Sequence, residues 1–323
     1  MIYIISFVLF TSLLMSVPIA VSLGMASLVG LYSLSPDLLV LAPQKFLAGI
    51  NSFTLLAIPM FILAGTIMGS GGIAARIVNF CLIFVGRVKG GLGFVVILAT
   101  MFFSGVCGSA SADTAAIGST TMPEMLKRKY PKPFATALLA ASGATASIIP
   151  PSIDLIIIGI VSGISIGGLF AAGILPGIFN GLALMCLCFY FSKKLDLPVT
   201  EKTSLNEKLK IFKEGILAIF MPVIILGGIL GGIFTPTEAS AVAVIYGFVV
   251  SMFVYKEMGW KELPAIFLQA AKLTGIVMLV LSMASCFSFV LAFERIPHSI
   301  AQFIVTFADN WIVFVICVNV LFF

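Results

Sequence analysis

The sequence predicts an all-helical integral membrane protein. Of its 323 residues, 61% are hydrophobic and only 10% are charged, and the mean hydropathy is +1.22. A soluble domain carries about 25% charged residues, so this chain has too few charges to cover a surface that faces water. Its hydrophobicity also excludes disorder. The apolar stretches are long and do not alternate in ten-residue strands, which favours helices over a transmembrane barrel.

The N-terminal region, residues 1–72, is predicted to supply scaffold helices. Met1–Leu34 is nearly uncharged and is long enough for two short helices with a bend at Pro18. A third helix should start a few residues before Leu55–Met68 and continue through it. Ile73–Val85 is shorter and carries polar side chains, so we expect it to lie in the membrane interface.

Four later apolar runs are long enough to cross a membrane as helices. Residues 193–214, a charged amphipathic stretch, are predicted to form a cytoplasmic connector between two halves of the chain. Basic clusters separate the apolar runs, and the positive-inside rule assigns them to the cytoplasmic face. The runs are Leu169–Phe191, Gly215–Phe234, Glu238–Tyr255 and Leu273–Phe293, and the basic clusters are Arg87/Lys89, Lys127–Lys132, Lys193/Lys194 and Lys256/Lys261.

Residues 90–126 are predicted to form a re-entrant helical hairpin. Basic residues flank the segment at Lys89 and at Lys127, so both of its ends are expected on the cytoplasmic face. Its middle, Ser104–Thr114, is too polar for lipid and too rich in glycine and serine for a straight helix. Such backbone is tolerated at membrane depth only inside protein or along a wet cavity. We therefore expect the hairpin tip near the middle of the membrane.

The segment 134–163 is predicted to be a helix that is broken at Pro150-Pro151. Proline has no N–H, so carbonyls one turn upstream lose their helical donors and need other partners. The interfacial helix, the hairpin, this broken helix and a closing span would together make a first transport repeat over residues 73–192.

Weak internal similarity predicts a second repeat over residues 215–323. Phe61–Gly65 resembles Phe289–Phe293, and each is followed by a short amphipathic piece and an apolar run. The second copy follows Glu294 and Arg295, which the span count places outside. Inverted repeats of this kind are a signature of secondary transporters. Because the chain stops within an apolar run, we expect it to be truncated before a second, outward hairpin of a protein roughly 100 residues longer.

Two polar breaks could carry chemistry. Asp113 is the strongest candidate, because an acidic side chain at membrane depth is costly and is by default a functional hypothesis. Hydroxyls, a carboxylate and free carbonyls are oxygen ligands that suit Na⁺. The alternative is that Asp113 only caps the second helix of the hairpin. Asp113 lies among Ser104, Ser109, Ser111 and Thr114 with Gly105 and Gly108.

The second break contains Ser142–Thr145 before the two prolines and Ser152 and Asp154 after them. A cation is a natural partner for the carbonyls that the prolines leave free. The alternative is a plain proline kink between packed helices.

Other features point first to structure. Pro236 suits the first turn of a helix that Thr235 or Thr237 could cap, and Glu238 is favourable near its N-terminus. Contact of Glu238 with a substrate or a partner on the outer side is the alternative.

An intramembrane serine hydrolase would need a pair such as Ser104 with His298, the one histidine of the sequence. No phosphate-binding loop and no Cys/His cluster is present, so we expect no organic cofactor, and the net charge of +5 does not suggest nucleic acid.

Four stretches of the sequence resemble the large membrane subunit of the TRAP transporters, the tripartite ATP-independent periplasmic family. They are spread over most of the chain, and the second and third coincide with the two polar breaks. The stretches are Leu55–Gly65, Ser104–Met125 around Ser109–Asp113, Ile149–Ser152 with Gly163–Ile166, and Gly232–Ala239.

The resemblance implies a Na⁺-driven importer of organic acids in a bacterial inner membrane, and not an enzyme. Such a system receives its substrate from an extracytoplasmic binding protein, and a small four-helix membrane subunit braces the large one. The hairpin and the broken helix would move as one body, as an elevator, against a scaffold in contact with membrane lipid. A single-component Na⁺/dicarboxylate symporter of the same broad fold is the alternative within transport.

The resemblance also implies site residues. Those implied for the Na⁺ site are Ser104, Gly108, Ser109, Asp113, Ser142, Gly143, Thr145 and Ser152, and those implied for substrate contact are Ser111, Thr114, Pro150, Asp154 and Glu238. The substrate stays open among C4-dicarboxylates, sialic acid and other sugar or keto acids, because the binding protein usually carries that choice.

Overall fold

A computed structural model describes residues 2–199, 205–307 and 310–322. Within these ranges the chain is helical and contains no β-strand, so the predicted all-helical fold is confirmed. Five helices of the described chain are long and apolar enough to cross a membrane by length and composition. They are Phe53–Ser70, Ile166–Lys194, Asn206–Leu230, Pro236–Val254 and Leu263–Phe293.

The α-helices are numbered in chain order. Short 3-10 turns lie at Pro36–Val40, Phe53–Leu56 and Thr145–Ser147, and a π-helical turn at Val250–Val254 extends α12. The helices are α1 Ile2–Leu14, α2 Ile19–Leu34, α3 Leu41–Ala48, α4 Ala57–Ser70, α5 Ile73–Val85, α6 Gly91–Cys107, α7 Ala110–Lys127, α8 Lys132–Ala144, α9 Ile153–Ser162, α10 Ile166–Lys194, α11 Leu205–Leu230, α12 Pro236–Val249, α13 Leu263–Phe293, α14 Ile296–Phe307 and α15 Trp311–Phe322.

One compact unit comprises Met1–Ser52 together with Gly275–Phe323. The bend predicted at Pro18 is confirmed, since α1 ends at Leu14 and α2 begins at Ile19. Small residues of α2 allow close approach of the last part of α13, as is common between membrane helices. A Cβ added to Gly30, for example, would lie 2.7 Å from Cγ1 of Val290. The core of this unit consists of Ile5, Ala26, Leu31, Ala42, Cys286 and Val290.

The second unit, Phe53–Thr274, contains both predicted polar breaks. Helix α4 packs along α12, and α5 packs on α6 and α11. The contacts therefore group α4 with the later helices, and the division at Ser52 does not coincide with the predicted boundary at residue 72. The predicted interfacial segment forms α5 with unchanged bounds, and it buries one apolar face, while its depth in a membrane stays a prediction.

Two predicted spans belong to helices that begin ten residues before the predicted start. Leu205–Leu230 is one continuous helix, so the last part of the 193–214 connector and the span after it form a single element; residues 200–204 of that connector lie outside the described residues. Helix α13 begins at Leu263, ten residues before the predicted start. Lys, Glu and Leu are good helix formers, so α11 begins within the charged turns of the connector. The first turns of α13 contain Leu, Ala and Gln, which also favour a helix.

Gly65 makes the contact between α4 and the hairpin possible. A Cβ there would collide with Sγ of Cys107 and lie 3.2 Å from its Cα. We expect Gly65→Ala to destabilise the protein by about 1–3 kcal/mol through overpacking, despite the better helix propensity of alanine. Gly69→Ala is the matched control on the same helix, because its nearest neighbour would be Cβ of Ala116 at 3.9 Å. Thermal unfolding in detergent measures the stability of both variants. Equal unfolding midpoints would contradict the close contact between Gly65 and Cys107.

Candidate functional site

The predicted hairpin is present as two helices in contact, α6 and α7, joined at Gly108 and Ser109. Gly108 has φ +62°, a left-handed conformation that a glycine adopts without a Cβ penalty. Ser109 is extended and precedes the first turn of α7. The chain thus reverses within two residues, and both helices turn their small and polar ends toward the tip.

The second break begins earlier than predicted. Helix α8 ends at Ala144, and a 3-10 turn follows over Thr145–Ser147, whereas the sequence placed the break at Pro150-Pro151. The reason is that a proline ring obstructs the turn before it, and a residue that precedes proline avoids helical backbone. Helix α9 restarts at Ile153, where the Ser152 hydroxyl accepts a hydrogen bond from the Leu155 amide at 3.4 Å.

The carbonyls that the two prolines leave without helical donors find hydroxyl partners. Ser104 of the hairpin donates to the Ala146 carbonyl at 3.2 Å and lies 3.5 Å from that of Ile149. Ser152 donates to the Ser147 carbonyl at 2.7 Å. Ala146 and Ser147 stand four residues before Pro150 and Pro151, so these are the acceptors that the prolines cannot serve. The hairpin is therefore bonded to the break itself.

The hairpin tip also contacts the restart of the broken helix. The Ile153 amide donates to the Gly108 carbonyl at 3.2 Å. A Cβ on Gly108 would collide with the Pro151 carbonyl oxygen and lie 2.9 Å from Cα of Ser152. The structure therefore brings the two predicted polar breaks together at Gly108.

A second glycine lets α7 approach α8. A Cβ on Gly143 would collide with Oγ1 of Thr114 and lie 3.3 Å from the Ala110 carbonyl. The hairpin and the broken helix thus share a close interface over more than one turn.

Several predicted site residues are fully buried at this interface but bonded within their own turn. Ser142 donates to the Leu138 carbonyl at 2.7 Å, and Thr145 donates to the Ser142 carbonyl at 2.6 Å. Thr114 is only half-buried, and its hydroxyl donates to the Ala110 carbonyl at 2.6 Å. These hydroxyl oxygens keep free lone pairs, so they can still accept or coordinate. The fully buried polar members are Ser104, Asp113, Ser142, Thr145 and Ser152.

Other predicted residues lie at the rim. Oγ of Ser109 and Oγ of Ser111 are 3.4 Å apart, and the Ser111 side chain is exposed at the hairpin tip. Asp154 is exposed in the first turn of α9, while Pro150 is buried at the break. The N-terminal end of α7, where the Ser109 side chain makes no capping bond, also lies on this side.

Asp113 is 0% exposed, yet its carboxylate lacks a counter-charge in the described part of the chain. Neither oxygen has a hydrogen-bond partner there beyond the thiol of Cys107, a weak donor. No backbone amide of the described chain caps this side chain. Burying an unpaired carboxylate is costly, so this position favours a carboxyl group that is protonated or that has a cation beside it.

Glu238 stands in a capping box at the start of α12. Its carboxylate accepts from the Thr235 amide at 2.8 Å and from the Thr235 hydroxyl at 2.8 Å. The Thr235 hydroxyl in turn accepts from the Glu238 amide at 3.3 Å. The structural interpretation of this motif is confirmed.

Sequence reasoning missed part of the site and one ion pair. The prolines predicted free carbonyls one turn upstream, but not that the carbonyls of Ala146, Ile149 and Pro151 would face the hairpin, because backbone oxygens carry no residue-type signal. Arg76, interpreted from the sequence as an interfacial charge, is 2.7 Å from Glu257 and stacks on the Tyr255 ring at 3.8 Å. No spacing rule links residues so far apart in the chain.

Comparison with known proteins identifies the family. The profile of the tripartite ATP-independent periplasmic transporter, DctM component, matches residues 6–323. A C4-dicarboxylate TRAP transporter large permease protein of Rhodobacter capsulatus is 35% identical over an alignment of 323 positions. This alignment covers 96% of this chain and 73% of the relative. The 2,3-diketo-L-gulonate permease of Escherichia coli is 42% identical over 83% of this chain and 63% of its own length.

A sialic acid TRAP transporter large permease protein of Vibrio cholerae is 40% identical over 87% of this chain. The chain spans 63% to 73% of the length of these three relatives. Both resembling stretches at the polar breaks fall inside the matched region. The chain therefore belongs to the DctM family, the large permease component of the tripartite ATP-independent periplasmic transporters.

Proposed function

We propose that this permease imports an organic acid by coupling its movement to Na⁺. One observation carries the proposal: the hairpin tip and the broken helix meet in a buried, oxygen-rich contact next to an unpaired carboxylate. Broken helices of secondary transporters use unwound carbonyls for the cation and helix N-termini for anionic groups. Both kinds of group are present here in one place.

The donor set of this contact suits Na⁺. The Ser104 hydroxyl lies within hydrogen-bond distance of the Ala146 carbonyl and of the Ile149 carbonyl. The Gly108 carbonyl, the Ser109 hydroxyl and Asp113 add oxygen ligands or negative charge from the hairpin side. Residues that complete the proposed site from the broken helix are Ser142, Gly143, Thr145 and Ser152.

The substrate would be a carboxylate. The relatives are named for C4-dicarboxylates, 2,3-diketo-L-gulonate and sialic acid, all of which are organic acids. The N-terminal end of α7 offers amide donors to an anion, with Ser111 and Thr114 nearby. At the start of α9 the Ile153 and Leu155 amides are already bonded, to the Gly108 carbonyl and the Ser152 hydroxyl. Pro150 shapes the same break, whereas exposed Asp154 and the capping Glu238 carry negative charge and would disfavour an anion.

The transport cycle that we propose needs two partners in a bacterial inner membrane. A periplasmic binding protein delivers the acid, and a small four-helix membrane subunit braces the scaffold. The interlocked hairpin and broken helix then move together as an elevator. The alternative of an intramembrane hydrolase is not favoured, because the Ser104 hydroxyl donates to backbone carbonyls at the break and not to a catalytic base.

Uptake into proteoliposomes tests the function. The intact transporter with its binding protein should accumulate a labelled organic acid under an inward Na⁺ gradient, and an equal K⁺ gradient should give none. Uptake without the binding protein would favour the single-component symporter instead. Accumulation that is the same in Na⁺ and K⁺ would contradict Na⁺ coupling.

The re-entrant topology gives a separate prediction. Val88 is 39% exposed at the start of the hairpin, Lys127 is exposed at its end, and Ile164 is 54% exposed in the loop between α9 and α10. In a background without native cysteines, Val88→Cys and Lys127→Cys should both react with an impermeant maleimide from the cytoplasmic side. Ile164→Cys should react from the opposite side. Reaction of the first two from opposite sides would make residues 90–126 an ordinary span.

A further inference from the structure

Three segments that are distant in sequence converge at the base of the hairpin. Nζ of Lys89 is 2.8 Å from Oδ1 of Asp196, and the Gly90 amide donates to the Pro198 carbonyl at 3.3 Å. The rings of Phe134 and Phe191 are 5.9 Å apart. Residues 86–90, 124–134 and 189–198 therefore form one surface, which we name the hairpin-base surface.

This surface is strongly basic. Its segments contain eight basic side chains and two acidic ones, and both acidic side chains are occupied. Asp196 pairs with Lys89, whose ammonium holds the pKa of that exposed carboxyl below its usual value, and Glu124 pairs with Arg128 at 2.7 Å. Six cations on this surface have no ion-pair partner among the described residues: Arg87, Lys127, Lys129, Lys132, Lys193 and Lys194.

Aromatic side chains next to these cations place the surface at the depth of lipid headgroups. Tyr190 is 60% exposed and Phe189 is 43% exposed at the end of α10. The Lys193 ammonium lies 4.3 Å from the centre of the Phe189 ring. Exposed aromatic rings followed by lysines are typical of the point where a helix leaves the hydrocarbon and enters the interface.

The excess of charge is local rather than a general property of the loops. The loop 256–262, which the sequence also places on the cytoplasmic side, contains two lysines and two glutamates. The positive-inside rule explains why lysines lie on one side of the membrane. It does not explain why six unpaired cations gather around the hairpin and not around this second loop.

We propose that the hairpin-base surface binds the headgroups of anionic phospholipids in the cytoplasmic leaflet. This proposal rests on the membrane topology argued above, and not on Na⁺ coupling or on the identity of the substrate. Clustered lysines beside a membrane attract anionic lipid with an affinity gain of about fivefold for each lysine. The three segments that bind the lipid also fix the base of the hairpin, so bound lipid would stabilise it.

A titration of the purified, intact protein in detergent tests the proposal. The probe is short-chain phosphatidylglycerol, with short-chain phosphatidylcholine and inorganic phosphate in parallel, and the thermal unfolding midpoint gives an apparent Kd. The test variant is Lys127→Gln/Lys129→Gln, and the matched control is Lys256→Gln/Lys261→Gln. Each pair includes one residue with positive φ, Lys129 at 61° and Lys256 at 55°, so backbone effects are balanced.

We expect phosphatidylglycerol to stabilise the unmodified protein and the control saturably, and to bind roughly 30-fold more weakly to the test variant. Unfolding midpoints without lipid should be the same in both variants, which shows that the fold is kept. Equal phosphatidylglycerol affinity in the two variants would overturn the proposal. An equal effect of inorganic phosphate or phosphatidylcholine would overturn the assignment to anionic lipid.

Discussion

Gly108→Ala should abolish most of the transport activity. The added Cβ would collide with the Pro151 carbonyl oxygen, and the left-handed backbone at φ +62° would cost alanine about 1–2 kcal/mol. To accommodate the methyl group, the hairpin tip must move away from the restart of the broken helix. Displacement of a binding group by about 1 Å can lower a rate on the order of 100-fold, and we expect a loss of roughly 10- to 100-fold in uptake.

Gly163→Ala is the matched control. Gly163 ends α9 with φ +69°, so alanine meets a similar backbone penalty, but no atom lies within 4 Å of its added Cβ. Uptake per folded molecule should be retained in this variant. If Gly108→Ala transports as well as Gly163→Ala, the contact between the hairpin tip and Pro151 is not part of the transport site.

Asp113→Asn should weaken the dependence of uptake on Na⁺. Asparagine keeps the size and one oxygen but removes the charge, which in the structure has no counter-ion among the described residues. A carboxylate and a cation at 4 Å attract by about 4 kcal/mol at an effective dielectric constant near 20, and desolvation cancels much of this. We expect a net loss of about 1–3 kcal/mol, which is roughly 5- to 150-fold in the half-saturating Na⁺ concentration.

Linkage adds a second readout, because Na⁺ and substrate must affect each other's affinity by the same factor. Substrate affinity should therefore fall in parallel in Asp113→Asn. Asp37→Asn removes an exposed carboxylate from the first turn of another helix and should change neither quantity. An unchanged half-saturation in Asp113→Asn would leave the ion to the hydroxyls and carbonyls alone.

The sequence predicted structural elements correctly where a residue type has one dominant structural role. Long apolar runs predicted the helices, and Pro18 predicted the bend between α1 and α2. The glycine and serine run predicted the hairpin, whose turn at Gly108 requires a glycine-like backbone. The capping motif at Thr235 and Glu238 was readable because the capping box needs those types at that spacing.

The features that the sequence did not predict depend on backbone groups or on contacts between residues far apart in the sequence. The break starts at Thr145 because of how α8 accommodates a proline five residues later, which composition does not locate. The bond from Ser104 to the Ala146 carbonyl joins positions 42 residues apart. The orientation of Asp113 toward Cys107 rather than toward a capping amide depends on the packing of α7, which the sequence pattern leaves open.

The most direct test of the central claim, that the hairpin tip and the broken helix form one Na⁺ site, is a Na⁺ titration of thermal stability in the purified transporter. With the ionic strength held constant by choline chloride, Na⁺ should raise the unfolding midpoint and K⁺ should not. Ser104→Ala should raise the half-saturating Na⁺ concentration by about 2- to 10-fold, which corresponds to the loss of one hydroxyl contact. Ser240→Ala, which removes an equally buried hydroxyl bonded within its own helix, should leave it unchanged. Equal stabilisation by K⁺, or the same half-saturation in Ser104→Ala and the unmodified protein, would contradict the account.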